Sequence, residues 1–408
     1  MTSPTTPPAL AVRVLEEILD HAVSADRALS RLYQQRNSGS MERARVGDLV
    51  FAVLRHRRRL ENGLTDPTLS ALTGLAAREL TENPFPPLPD PSVPPWIACS
   101  LPDWLWSSLA GQWGESQALE LGQAMNQPAP TDLRVNRLKI DREALQTKLA
   151  SLGVSATPLP DTPDGLRLTG HPPVTTLEPF HQGLFEVQDK GSQWIAPLLQ
   201  PRPGDTVVDL CAGGGGKTLH LATLMANRGR IIAADTDAQR LGRLRQRLRR
   251  SKTNLVRVVP LRHEGDPQLK PWVGKADGVL IDAPCSGSGT IRRRPELKWQ
   301  LTPEQVNSYS VRQSALLNAG ARLVRPGGRL VYATCSLFRE ENQAVVESFL
   351  NENQNFQQLP AMRTLAAQGY TGVYCRDAHL LLTPHVAGCD GFFAALFQKE
   401  PPRFRNPP

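Results

Sequence analysis

Residues 206–218 read TVVDLCAGGGGKT, and the apolar run LHLATLM follows at 219–225. Thr206 to Leu210 is short and almost wholly apolar, the pattern of a strand buried on both faces. Gly213 to Gly216 then permit a sharp turn and close approach by a ligand, and the apolar run predicts a helix whose first N–H groups face that turn. Further apolar strands are expected at Arg230–Asp235, Leu255–Leu261, Gly278–Asp282 and Gly328–Thr334, with helices between them. Leu241, Leu244 and Leu248 mark the inner face of one such helix. Repeated β–α units imply an α/β class and a doubly wound, Rossmann-like sheet over residues 201–400.

The glycine turn can be tested against two nucleotide-binding templates. A phosphate-binding P-loop needs glycine where Cys211 stands, so that template fails. A dinucleotide fingerprint needs a third glycine where Thr218 stands, so it fits poorly. The next strand ends at Asp235, 26 residues after Asp209. An acid there can accept hydrogen bonds from ribose hydroxyls, so turn and acid together suit an adenosine cofactor. A bare tight turn is the alternative.

Upstream the pattern changes. Residues 1–82 read as helices, with Ala11, Val14, Leu15, Ile18 and Leu19 on one face and Leu49, Val50, Val53 and Leu54 on another. Residues 83–95 contain PFPPLPDPSVPP, an extended proline-rich linker. Residues 96–200 read as a helical stretch followed by a small α+β subdomain: strands LRVNRL and GLRLTG, with a helix near Arg142–Leu152. On this division a fragment starting near Pro95 would stand alone.

The 408 residues carry a formal charge of +8, which favours a polyanionic partner without requiring one. Neither an N-terminal signal segment nor a long apolar run is visible, so a cytoplasmic protein without membrane spans is expected. Cys99, Cys211, Cys285, Cys335, Cys375 and Cys389 are sparse and form no Cys-x-x-Cys pair, and the histidines are scattered. Free thiols and no metal site are therefore expected.

Two of those thiols stand at the ends of expected strands. VLIDAPCSGSG puts Asp282 at a strand end with Cys285 in the next turn, and LVYATCS puts Cys335 at another. That sheet edge is where ligands bind in open α/β folds. A buried cysteine is usually a small core residue, but two at this edge, one beside an aspartate, suggest chemistry. C5 of cytosine is too weak a nucleophile to take a methyl group unaided. A thiolate added at C6 activates it, a carboxyl at N3 assists, and a base must later remove the C5 proton. Cys335, Asp282 and Cys285 suit those three roles.

DLCAxxGGKT, DAPCSGSG followed by RRRPELKW, and RPGGRLVYATCS resemble the Sun-type (RsmB-like) ribosomal RNA cytosine-C5 methyltransferases. The resemblance spans most of residues 130–399, including LRVN (133–136), QDKGSQ (188–193) and DGFFAALFQK (390–399). It implies a methyltransferase sheet preceded by an RNA-binding subdomain and a short NusB-like helical domain. It implies that Cys335 is the nucleophile, that Cys285 assists release, and that Asp282 contacts both cofactor and base. Cys211, Ala212, Gly213, Gly214, Gly215, Gly216, Lys217 and Asp235, with Asp282, would hold S-adenosylmethionine. This chain departs from the family at Gly213–Gly214, where Ala-Pro is usual. It also leaves open whether His263, Glu264 or Asp266 lies at the adenine.

RNA, most naturally small-subunit ribosomal RNA, is the implied substrate, and a monomer is expected. A tRNA or DNA methyltransferase, a protein methyltransferase and a non-catalytic ribosome-assembly factor are the alternatives. Basic runs at Arg55–Arg59, Arg240–Lys252 and Arg292–Arg294 could each contact phosphates or be ordinary surface, and the run at Arg292–Arg294 is favoured because it follows the catalytic turn.

Overall fold

The computed structural model describes residues 6–36, 39–62, 64–82, 92–372, 374–376 and 378–401. Its packing separates two units, Met1–Pro128 with Thr290–Pro303, and Ala129–Gly289 with Glu304–Pro408.

The first unit contains helices α1 (Pro7–His21), α2 (Ala25–Gln35), α3 (Ser40–Glu61), α4 (Leu69–Glu82), α5 (Asp103–Trp113) and α6 (Glu115–Asn126). Leu10, Ala11, Val14, Leu15 and Ile18 of α1 meet Leu49, Val50, Val53 and Leu54 of α3 in one core, as their helical spacing requires. Residues 83–91 of the proline-rich linker lie outside the described residues.

Helix α3 kinks at His56 (φ −119°, ψ 16°), where burial pulls the imidazole down to about 3 and leaves it neutral. A kink frees backbone carbonyls that must find other donors. Residues 290–303 supply them. Trp299 Nε1 donates to Leu54 O at 2.8 Å, and Lys298 Nζ donates to Arg55 O at 2.6 Å. Lys298 also reaches Ser100 O and Asn126 Oδ1 at 3.0 and 2.8 Å. Gln300 Nε2 donates to Ile18 O at 3.0 Å near the end of α1. The packing thus cuts the chain differently from the expected pieces: the helices after Pro95 join the N-terminal ones, and a strap from beyond Cys285 completes their interior. A fragment starting near Pro95 would leave Lys298 and Trp299 without the α3 carbonyls.

Two of the three basic runs are largely occupied within this unit. Arg57 pairs with Glu61 at 2.7 Å, Arg58 with Asp103 at 2.8 Å, and Arg59 with Glu79. Arg292 is buried and donates to Pro128 O at 3.1 Å, while Arg294 pairs with Glu296. These arginines thus have partners within the unit.

The second unit holds two sheets. Strands β1 (Asp132–Val135), β2 (Ala156–Pro158), β3 (Gly165–Leu168) and β4 (Phe185–Val187) form an antiparallel sheet in the order β2–β3–β1–β4, with helix α7 (Arg142–Ser151) packed on it. The large sheet begins with β5 (Thr206–Asp209), β6 (Arg230–Asp235), β7 (Val256–Pro260), β8 (Ala276–Asp282) and β9 (Val324–Thr334). Among the described residues β10 (Phe356–Leu359), β11 (Cys375–Arg376), β12 (His379–Leu382) and β13 (Phe392–Lys399) complete it, and the path runs β11–β12–β13–β9–β8–β5–β6–β7. Strands β5 to β9 pair in parallel, and β13 is antiparallel to β9.

Successive strand residues face opposite cores. Val208, Ile232, Val279 and Ile281 enter one, while Val207, Ile231, Leu280 and Val331 enter the other. This is why the strands are apolar throughout. The chain leaves β5 towards β6, then returns to place β8 on its other side. That reversal opens a crevice at the C-terminal edge. Into it lead the glycine turn after β5, Asp235 at the end of β6, Asp282 at the end of β8, and Cys335 just beyond β9.

The strap yields the first test. Trp299→Phe keeps the ring and deletes the donor to Leu54 O, so it should cost about 1–3 kcal/mol in urea unfolding. Unchanged stability would mean that this carbonyl is satisfied without the strap.

Candidate active site

The glycine turn is built by backbone bonds. Ala212 N donates to Ala234 O of β6 at 3.0 Å, Gly215 N closes the turn on Ala212 O at 2.8 Å, and Gly213 N donates to Asp235 Oδ2 at 2.7 Å. Helix α8 (Gly216–Leu224) starts there, and helix α9 (Ala238–Ser251) follows β6. Gly215 has φ +85°, and a Cβ there would sit 2.2 Å from Leu244 of α9, so packing alone demands glycine. A Cβ at Gly213, Gly214 or Gly216 would meet nothing closer than 3.6 Å, which leaves an open cradle on that side.

Asp209 is fully buried beneath the turn. Its Oδ2 accepts from Thr218 Oγ1 at 2.6 Å, its Oδ1 has no hydrogen-bond partner among the described residues, and burial pushes the carboxyl up to about 7. Cys211 is half-buried against the main core, and burial pushes its thiol well up. The cradle, the acid Asp235 and the open oxygen of Asp209 fit an adenosyl ligand with a cationic end.

The loop is also gripped from behind. Arg247 Nη1 of α9 donates to Gly214 O at 2.9 Å, and its Nη2 binds Glu186 of β4 at 2.8 Å. Arg250 binds the same carboxylate and lies 3.8 Å over the Phe180 ring. From β1, the buried Arg134 holds Gln188 at 2.6 Å and reaches Gly216 O at 3.4 Å. Two arginines of the basic helix at 240–252 therefore serve the loop and the small sheet. Sequence reading missed Arg134, Glu186 and Arg247 as supports; the LRVN motif containing Arg134 was the one available signal.

Cys285 and Cys335 come together with their sulfurs 3.2 Å apart, both half-buried. The hydrogen bond to Cys335, then burial, raises the Cys285 thiol well above its usual range. At this distance either sulfur can donate to the other. Lys217 Nζ binds Asp282 Oδ2 at 2.6 Å and sits 5.3 Å over the Phe392 ring. Lys217 therefore holds the carboxylate that ends β8, three residues before Cys285. Asp266 is buried and takes the backbone N–H groups of Arg262 and Gln268, while Glu264 pairs with Arg312. No group suited to holding a metal ion occurs among the described residues, and no described helix is long and apolar enough to cross a membrane.

Sheet order, antiparallel β13 and cofactor cradle together define a Rossmann-like methyltransferase. Comparisons agree. Residues 196–398 match the family described as 16S rRNA methyltransferase RsmB/F, and residues 101–175 match the ferredoxin-like domain of RsmF/B-like methyltransferases. The ribosomal RNA small subunit methyltransferase B of Xanthomonas campestris is 34% identical over 82% of this chain and 72% of its own length. A probable ribosomal RNA small subunit methyltransferase B of Synechocystis is 39% identical over 70% of this chain. The match spans 64% of that relative and 54% of one from Cronobacter sakazakii. The crystal structure of PH0851 superposes with a TM-score of 0.79 at 26% identity, covering 98% of this chain and 100% of that one. The chain belongs to the RsmB/F family of 16S rRNA methyltransferases.

Arg247→Ala releases the Gly214 carbonyl and half of the Glu186 anchor. Hydrogen exchange at the Gly213 and Gly215 amides should accelerate; unchanged exchange would show that the turn is held without Arg247.

Proposed function

We propose that this protein methylates carbon 5 of a cytosine in RNA, with small-subunit ribosomal RNA as the substrate, through a covalent bond between Cys335 and C6. The observation that carries the reading is the pair of thiols 3.2 Å apart at the sheet edge where the lysine-bound Asp282 ends β8. A methyltransferase acting on an intrinsically nucleophilic atom would need neither thiol.

S-adenosylmethionine, when bound, supplies an electrophilic methyl group. Gly213, Gly214 and Gly216 leave room for it, Asp235 holds its ribose, and Cys211 and Ala212 contribute backbone. Cys335 Sγ bonds to C6 as a thiolate, and the electron pair moved from the C5=C6 bond makes C5 nucleophilic. Asp282, kept in place by Lys217, faces N3, and its carboxylate stabilises the proton that N3 takes up from water as the thiolate adds. After C5 has taken the methyl group, its proton passes to a base. The C5–H electrons re-form C5=C6 and Cys335 leaves. Cys285 serves this release step. The target base has to leave its stack to reach these thiols.

Bisulfite sequencing of total RNA from a strain lacking the gene tests the reading and identifies the substrate. One cytosine in small-subunit ribosomal RNA should lose its methyl group; a loss confined to tRNA, or no loss, would contradict the proposed substrate.

Two substitutions address the residues. Asp235→Ala should weaken S-adenosylmethionine binding by roughly 1.5–3 kcal/mol in calorimetry, the range for hydrogen bonds to a charged group. Equal affinity would remove Asp235 from the ribose. Cys335→Ala should abolish methylation and any protein–RNA adduct. Cys285→Ala should instead accumulate a denaturant-resistant adduct that depends on S-adenosylmethionine and disappears when Cys335 is also changed. The opposite pattern would mean that the two thiols exchange roles.

A further inference from the structure

One fully buried carboxylate lies outside the reaction just described, yet touches both loops that carry it. Glu341 follows β9, and its side chain is fully buried. Its Oε1 accepts from the Ser286 backbone N–H at 2.8 Å and from Gln313 Nε2 at 2.9 Å. Its Oε2 accepts the hydroxyls of Ser286 and Ser336. Ser286 directly follows Cys285, and Ser336 directly follows Cys335. A single carboxylate therefore ties two Cys-Ser pairs together.

The surrounding bonds make the tie rigid. Gln313, on the helix at Pro303–Leu323, also donates to Pro284 O at 2.9 Å, on the other side of Cys285. Tyr332 donates its hydroxyl to Glu341 O at 2.6 Å. Asn342 accepts from Thr334 at 2.6 Å and donates to Ser336 O at 2.9 Å, bracketing Cys335. Gly289 N donates to Cys335 O at 2.9 Å. A buried carboxylate is costly unless its acceptor sites are filled, and here they are filled by donors from the two thiol loops and one helix.

We propose that Glu341 is a positioning residue that sets the spacing of Cys285 and Cys335 by binding the serine that follows each. Without it, each loop keeps its strand but loses the shared anchor. The catalytic consequence rests on the covalent reaction proposed above; the geometric one does not.

The test uses a probe that needs no RNA. Phenylarsine oxide bridges two close thiols, forming two As–S bonds and releasing its oxygen as water with both thiol protons. In the full-length protein it should bridge Cys285 and Cys335, read by intact mass and peptide mapping. Glu341→Ala should slow this capture and lower kcat about a hundredfold, the scale expected when reacting groups shift by about 1 Å. KM for S-adenosylmethionine should stay the same. Glu341→Gln retains one acceptor oxygen and should recover most of both readouts. If Glu341→Ala fails to fold, Ser336→Ala removes a single donor and should give a smaller loss of the same two quantities. Normal arsenical capture with lost activity would overturn the positioning role, as would normal values of both. Slowed capture in a protein whose wild type methylates no RNA would uphold the tie and reject the reaction.

Discussion

The chemistry of this fold depends on β8 and β9 being neighbouring parallel strands. Their register sets Asp282 opposite Ala333. The turns that follow must then leave the same edge about 5 Å apart, the spacing of paired strands. Cys285 and Cys335 are separated by 50 residues in the chain, and no local preference could bring them together. Sheet order does so, and the buried hydrogen bonds around the two turns narrow strand spacing to thiol contact. β5 and β6 supply the cofactor side of the same crevice by the same logic.

Much of this was legible in the sequence, for reasons specific to particular residues. β6 runs from Arg230 to Asp235 as expected, because the polar residues at its ends bracket an apolar run, Ile231–Ala234, that is buried throughout. β9 reaches back to Val324, but across a bulge at Pro326 and Gly327 (φ +76°) where its pairing with β8 shifts register, so the expected start at Gly328 lies where regular pairing resumes. Asp282, Cys285 and Cys335 were visible because each ends an apolar run. The supports were not. Glu186 and Glu341 look like surface acids until the partners arriving from distant segments are known. Arg247 sits in a run of arginines where nothing local separates it from its exposed neighbours.

The basic residues carry the same lesson. A net charge of +8 favours a polyanionic partner without requiring one, and the arginine runs at 55–59 and 292–294 read equally as phosphate contacts or ordinary surface, the second run with the stronger case for phosphate. Several of those guanidinium groups are instead spent on carboxylates and carbonyls inside the helical unit, where an unmet carbonyl would cost about 1–3 kcal/mol. The strap at 290–303 is the clearest case. Its lysine and tryptophan bind carbonyls at the kink in α3, so a segment expected within the methyltransferase domain at 201–400 is part of the helical unit's interior. Periodicity cannot reveal this, since the partners lie more than 200 residues away in the chain.

On the proposed mechanism Cys335, and no other thiol, bonds to the target base. RNA carrying 5-fluorocytosine tests it directly, since fluorine at C5 cannot leave as a proton and the covalent species should persist. After incubation with S-adenosylmethionine, nuclease and protease digestion, mass spectrometry should find one peptide, spanning Cys335, bearing a methylated fluorocytidine. The same mass on the Cys285 peptide, or methylated RNA with no modified peptide at all, would contradict the account.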